Sequence, residues 1–256
     1  MCDDLPELVA HSLDAPVELL RHLPELFEGL EDLGARASDV VAIVSETDLD
    51  RDAKVLDLGC GKGASALALA RAFGVQVRGI DGMPAFVAHA TARATREGLS
   101  DRCRFVVGDV RTAVHDERGY DLVMMLALGD LLGPLPSTLR SLTDCVHASG
   151  YVLLDDAFLA DGTPASDADG VYDRATTLRM IERAGMKVVG ERTTDTAEAR
   201  AWLQDATALI LSRAEAVAAR EPQLAPQLHE FARRQFEETQ ADSGPLVGVT
   251  WLLQRR

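Results

Sequence analysis

Val55-Leu56-Asp57-Leu58-Gly59-Cys60-Gly61-Lys62-Gly63 runs from an apolar strand into a glycine-rich turn and the start of a helix. Such a turn uses glycine where the backbone takes torsions closed to other residues and where a ligand must reach the main chain without meeting a Cβ. Gly59, Gly61 and Ala64 satisfy the spacing of a dinucleotide-binding turn, whereas a Walker loop is excluded because Lys62 is followed by glycine instead of serine or threonine. Asp57 interrupts the strand two residues before the turn. A carboxylate there is costly to bury unless a cation or hydrogen-bond donors meet it, and a ligand ammonium would do so.

Outward from this run the chain alternates strand and helix. A helix is expected to Phe73, a strand at 75–80, a helix at 84–98, and strands at 103–107 and 120–126. A helix near 136–147, a strand at 151–155, a helix from about Tyr172 to Ala184 and a strand at 186–191 follow. Successive βα units require parallel strands joined by right-handed crossovers. Before them, residues 1–50 read as a helical segment: Asp14 as a cap, Pro16 in a first turn, apolar residues from Val17 to Leu30 at helical spacing, Pro24 dividing them, and Ser38 capping a short helix to Ile43. The loop Asp161 to Gly170 is rich in Gly, Asp, Pro and Ser and is expected to be exposed and mobile. Residues 194–244 read as two amphipathic helices meeting near Pro222, and 246–253 as a last strand.

The length, 256 residues, allows a full core, and 47% hydrophobic with 26% charged residues fits a folded globule. A formal charge of −15 disfavours nucleic acid and anionic membranes as partners. The cysteines at 2, 60, 103 and 145 form no C-x-x-C pair and have no histidine at ligand spacing, so no metal site is expected, and Cys60 reads as a small apolar filler. With neither a signal-like start nor a long apolar run, a reducing, cytoplasmic setting is expected.

Two further carboxylates end strands. Asp81 lies about twenty residues after Gly59, where a carboxylate can accept two ribose hydroxyls, and Asp109 closes the third strand, where it can accept from an adenine amino group. VLDLGCGKG, GIDGM at 79–83, FVVGDV at 105–110 and YDLVMMLAL at 120–128 together resemble, in order, the motifs of class I S-adenosylmethionine-dependent methyltransferases. The resemblance spans residues 53 to 193 plus the terminal strand. It implies a Rossmann-like α/β fold: a seven-stranded, mostly parallel sheet with an antiparallel last strand, here carrying N-terminal helices and a helical insertion. It also implies S-adenosylmethionine as cofactor, with Asp57, Gly59, Cys60, Gly61, Gly63, Asp81, Gly82, Met83, Asp109, Val110 and Leu126 as its binding residues. The family usually joins strands six and seven by a hairpin, so 194–244 within a 51–256 methyltransferase domain suggests a lid.

The acceptor of such a sheet is expected beyond the carboxyl ends of strands four and five. Asp130 and Asp155 are candidate substrate-binding residues there, and Asp156 a candidate catalytic base. The same three acids are equally read as loop charges of an acidic protein. The turn Ala127-Leu128-Gly129-Asp130 lacks the Asn/Asp-Pro-Pro-Tyr quartet of amino-directed nucleic-acid methyltransferases, which favours a small-molecule acceptor. His22 and His229, in helices that could cover the site, and Arg21 and Arg36 are weaker candidates, with solvated helix charge as the plainer account. A homodimer through residues 194–244 is the other use of those helices. The alternatives to methyl transfer are an NAD(P)-dependent oxidoreductase, from the G-x-G-x-x-A match, and a non-catalytic cofactor-binding protein.

Overall fold

A computed structural model describes residues 5–160, 163, 171–193, 197–240 and 246–256, with side chains to 237 in the last helix. The chain forms two compact units, Met1–Glu31 with Thr194–Gly244, and Asp32–Thr193 with Pro245–Arg256. The 1–50 segment is therefore divided between them.

The larger unit is built on strands β1 Lys54–Leu58, β2 Gln76–Asp81, β3 Cys103–Val107, β4 Tyr120–Met125, β5 Val146–Leu159, β6 Met186–Thr193 and β7 Leu246–Arg255, in the order β3-β2-β1-β4-β5-β7-β6. Pairs among the first five strands are parallel, and β7 is antiparallel to both β5 and β6. Dinucleotide-binding enzymes of the usual six-stranded order 3-2-1-4-5-6 have no such inserted antiparallel strand.

Six helices cover the sheet: α3 Ala37–Val44, α4 Ala64–Phe73, α5 Pro84–Arg96, α6 Val110–Asp116, α7 Leu135–Cys145 and α8 Arg174–Arg183. Strand side chains alternate between two apolar layers. One joins Val55, Val77, Leu122, Met124 and Leu153 to α3, α4 and α5; the other joins Leu56, Leu58, Val123, Leu154 and Trp251 to α6, α7 and α8.

Three expectations change. Ser38 lies inside α3, whose N-cap position is Arg36. The seven-residue α6, absent from the sequence reading, is capped by Asp109, which accepts the Arg111 N–H. Strand β5 spans Val146–Leu159 instead of 151–155: β4 stops opposite Leu154, while β5 continues to Leu159 against β7 as a two-stranded arm. The local sequence of that arm does not announce a strand; its partner, a hundred residues later, supplies the hydrogen bonds.

The smaller unit contains α1 Leu5–Ser12, α2 Leu23–Leu26, α9 Ala197–Arg220 and α10 Ala225–Gln240, with a 3-10 turn at Val17–Leu19 and another at Pro222–Leu224. Val17 to Leu30 is thus two short turns, with Pro24 in the first turn of α2. Phe27 meets Phe231 edge-on at 6.3 Å, and Leu23, Ile210, Val217 and Leu228 are buried in the same unit. Ion pairs Arg21–Glu221, Arg213–Glu28 and Arg220–Glu25 lie within the same unit. The mobile-loop expectation for 161–170 and the start of the insertion fall, apart from Thr163, outside the described residues.

Candidate functional site

The turn after β1 has the geometry its glycines imply. Gly59, Gly61 and Gly63 all have left-handed φ, +75°, +50° and +76°. A Cβ on Gly59 would lie 2.6 Å from the Leu128 side chain, and one on Gly63 2.9 Å from Ala90 Cβ and Phe105 Cζ, so both positions exclude larger residues. Cys60 is buried and its thiol pKa is pushed well up by that burial, as expected of an inert filler.

Asp81 closes the turn from the neighbouring strand. Its Oδ2 accepts the Gly61 N–H at 2.8 Å and its Oδ1 the Met83 N–H at 2.8 Å. Burial raises its pKa, opposed by these two donors. A carboxylate offers about four acceptor positions, so two remain for ligand hydroxyls. Gly82 links Asp81 to Met83, which is the N-cap of α5 and 6% exposed.

Asp57 is buried, 4% exposed, and its pKa is raised to about 7 by burial and by the charge of Asp81. No described side chain forms an ion pair with it. It shares its layer with the apolar residues Val55, Met124 and Leu126. A buried acid in such a place is stabilised by a ligand cation.

Asp109 is the N-cap of α6 and pairs with Arg111. Burial pushes its pKa up, but hydrogen bonds and charge from Arg111, which pairs with it at 2.9 Å, outweigh this and leave it below the usual carboxylate range. Val110, the next residue, is buried in the second layer.

The register separates the two acids of β5. Asp155 lies on the layer of Tyr151 and Leu153, as Asp57 does on β1, whereas Asp156 lies on the layer of Leu154 and Phe158. The two carboxylates do not share a face, because adjacent strand residues point to opposite sides. Asp155 accepts from Thr250 Oγ1 at 2.5 Å and faces the Ala127 N–H, with its pKa raised by burial. Asp156 takes the Ala157 N–H, and burial raises its pKa too. Asp130 is exposed on the loop after β4.

His22 is buried in the smaller unit, where its Nε2 accepts from Arg21 Nε at 2.9 Å. His229 stands 3.5 Å from Glu215, and Arg36 pairs with Asp39. Sequence reading missed Leu33 and Gly34, just before α3. Leu33 Cδ1 lies 3.4 Å from where a Gly61 Cβ would be, and a Cβ on Gly34 would collide with that of Ala127. Among the described residues no group of His, Cys, Asp and Glu has metal-site geometry, and no helix is long and apolar enough to cross a membrane.

Residues 55–150 match the family described as "Methyltransferase domain". Among curated proteins, phosphoethanolamine N-methyltransferase 1 of Triticum aestivum is 30% identical over 161 residues, 59% of this chain and 32% of that one. A 23S rRNA (uracil(1939)-C(5))-methyltransferase of Acidithiobacillus ferrooxidans is 38% identical over 131 residues, 49% of this chain and 28% of that one. The chain thus spans about a third of the length of these relatives. Among solved structures, a methyltransferase from Geobacter sulfurreducens in complex with S-adenosyl-L-homocysteine superposes with a TM-score of 0.77, covering 92% of this chain and 98% of that one. At 19% identity this is a likeness of fold. S-adenosylmethionine, the cofactor of this family, carries the ammonium and vicinal hydroxyls that a buried carboxylate at 57 and the open acceptor positions of Asp81 suit. The matched domain at residues 55–150, the inserted antiparallel β7 and this site agree with the resemblance of the chain to class I S-adenosylmethionine-dependent methyltransferases.

Proposed function

We propose that the protein transfers a methyl group from S-adenosylmethionine to a small-molecule acceptor by in-line displacement. The observation that carries this reading is Asp57, a buried carboxylate with a pKa of about 7 and no cation of its own, at the lip of a left-handed glycine turn. A nicotinamide dinucleotide supplies no ammonium for that position. Asp57 takes the cofactor's ammonium, Asp81 its ribose hydroxyls, and Gly59, Cys60, Gly61 and Gly63 its closest backbone approach. Gly82, Met83, Asp109, Val110 and Leu126 complete the walls.

When bound, the cofactor supplies an electrophilic methyl group. The chain's own task is to align an acceptor and exclude water, effects worth roughly 7 to 11 kcal/mol when fully realised. Asp156 is assigned as the base that takes the acceptor's proton. It lies two strand positions past the end of β4, beside Leu154, Phe158 and Val249 in the sheet, and its burial moves its pKa up. Asp130 is assigned to the acceptor side.

A small acceptor is favoured over RNA by the charge of −15 and by the relative named for phosphoethanolamine, although the other relative is named for 23S rRNA. Incubation with methyl-labelled S-adenosylmethionine and a fractionated cell extract tests the reading. Label is expected in a small-molecule fraction, at a rate lowered by Asp156→Asn while S-adenosylhomocysteine affinity is kept. Label confined to RNA, or an unaffected Asp156→Asn rate, overturns the corresponding assignment.

A further inference from the structure

At the carboxyl end of β4 the chain leaves the sheet through Ala127, whose φ of +53° is one that residues bearing a Cβ rarely adopt. Such a conformation persists when its surroundings over-determine it. Two things do so here. The Asp155 carboxylate faces the Ala127 N–H, and Thr250, its cross-strand partner on β7, fixes that carboxylate through a 2.5 Å hydrogen bond. On its other side Ala127 packs so closely on Gly34 that only glycine fits there.

The turn these contacts fix also builds the donor site. Leu128, the next residue, lies where a Cβ on Gly59 would be, and Leu33, beside Gly34, lies against Gly61. The turn after β4, the glycine turn after β1 and the segment before α3 are therefore one packed assembly. Asp155 grips it from β5.

We propose that Asp155 is a positioning residue for the cofactor-binding end of the site: with Thr250 it latches the Ala127 turn in its left-handed form, so that Leu128 and Leu33 hold the glycine turn in its binding geometry. This rests on the methyl-donor reading and replaces the sequence expectation that Asp155 binds the acceptor. Its carboxylate is bound by Thr250 and faces the Ala127 N–H, and it acts through Ala127.

The experiment combines amide hydrogen exchange over residues 126–128 with calorimetric titration by S-adenosylhomocysteine, in the full chain. Asp155→Ala is expected to speed exchange over 126–128 and to weaken S-adenosylhomocysteine roughly tenfold or more, the usual scale for losing a charged hydrogen-bond partner. Thr250→Val should act in the same direction, less strongly. Asp155→Asn keeps a carbonyl acceptor and should recover most of the affinity. Ala127→Gly added to Asp155→Ala should also restore it in part, because glycine takes a positive φ without support; a merely structural Asp155 gives no such rescue. Unchanged exchange and affinity in Asp155→Ala and Thr250→Val overturn the proposal, as does a loss that neither Asp155→Asn nor Ala127→Gly relieves. Where Asp155→Ala does not fold, Thr250→Val and Asp155→Asn decide on the same readouts. If the wild type binds no S-adenosylhomocysteine, the methyl-donor reading fails and amide exchange alone decides the latch.

Discussion

Replacing Asp57 with asparagine should stabilise the ligand-free protein at pH 8 and weaken cofactor binding in the same variant. The folded-state pKa of Asp57, about 7, stands roughly three units above the ordinary value of 3.8. A raised acid binds its proton more tightly folded than unfolded, so between about pH 4 and pH 7 the native state holds more protons and stability falls as pH rises. Above pH 7 the ionised, buried carboxylate carries the full penalty, with a ceiling of about 4 kcal/mol at 1.36 kcal/mol per unit. Asp57→Asn removes the ionisation, so its stabilisation should be largest at pH 8 and absent near pH 4. Chemical denaturation of both proteins at pH 4.5 and pH 8, followed by titration with S-adenosylhomocysteine, measures both effects. The cofactor's ammonium favours the ionised form, so wild-type affinity should rise with pH through 7 while that of Asp57→Asn stays flat. Equal stability of the two proteins at pH 8, or full affinity without a pH dependence, would refute the reasoning.

Other substitutions probe neighbouring parts. Asp81→Ala removes the acceptor for the Gly61 and Met83 N–H groups as well as that for ligand hydroxyls, and should weaken S-adenosylhomocysteine by about 1.5 to 3 kcal/mol for each charge-assisted hydrogen bond lost, read by calorimetry. Gly63→Ala forces a Cβ against Ala90 and Phe105 at a positive φ and should cost about 1 to 3 kcal/mol of stability in denaturant unfolding. Phe231→Ala opens the Phe27 contact in the smaller unit and should cost about 3 to 5 kcal/mol there, seen as faster amide exchange in α9 and α10.

The order of strands was legible because the motifs and their alternation are local. Val55 to Leu58 must be a buried strand, three glycines must follow at a sharp turn, and Asp57 and Asp81 stand out as charges where apolar residues belong. The parts that were not legible depend on distant partners. The arm Asp156–Leu159 is a strand because β7 lies beside it, and Asp155 and Asp156 part company because that strand keeps its pleat. Gly34 looks like any loop glycine until Ala127 is placed against it. Likewise, pairs such as Glu28 with Arg213 join sequence segments that carry no mutual signal, so the two ends of the smaller unit were read as separate elements. The helix α6 had a local signal, Asp109 as its N-cap, but only seven residues of pattern behind it.

The central claim is that the glycine turn, Asp57 and Asp81 form a methyl-donor site. Calorimetric titration of the wild-type chain with S-adenosylhomocysteine and, separately, with NADH tests it most directly. Saturable binding of S-adenosylhomocysteine at one site per chain, with no heat from NADH, is the predicted result; binding of NADH without binding of S-adenosylhomocysteine would contradict it.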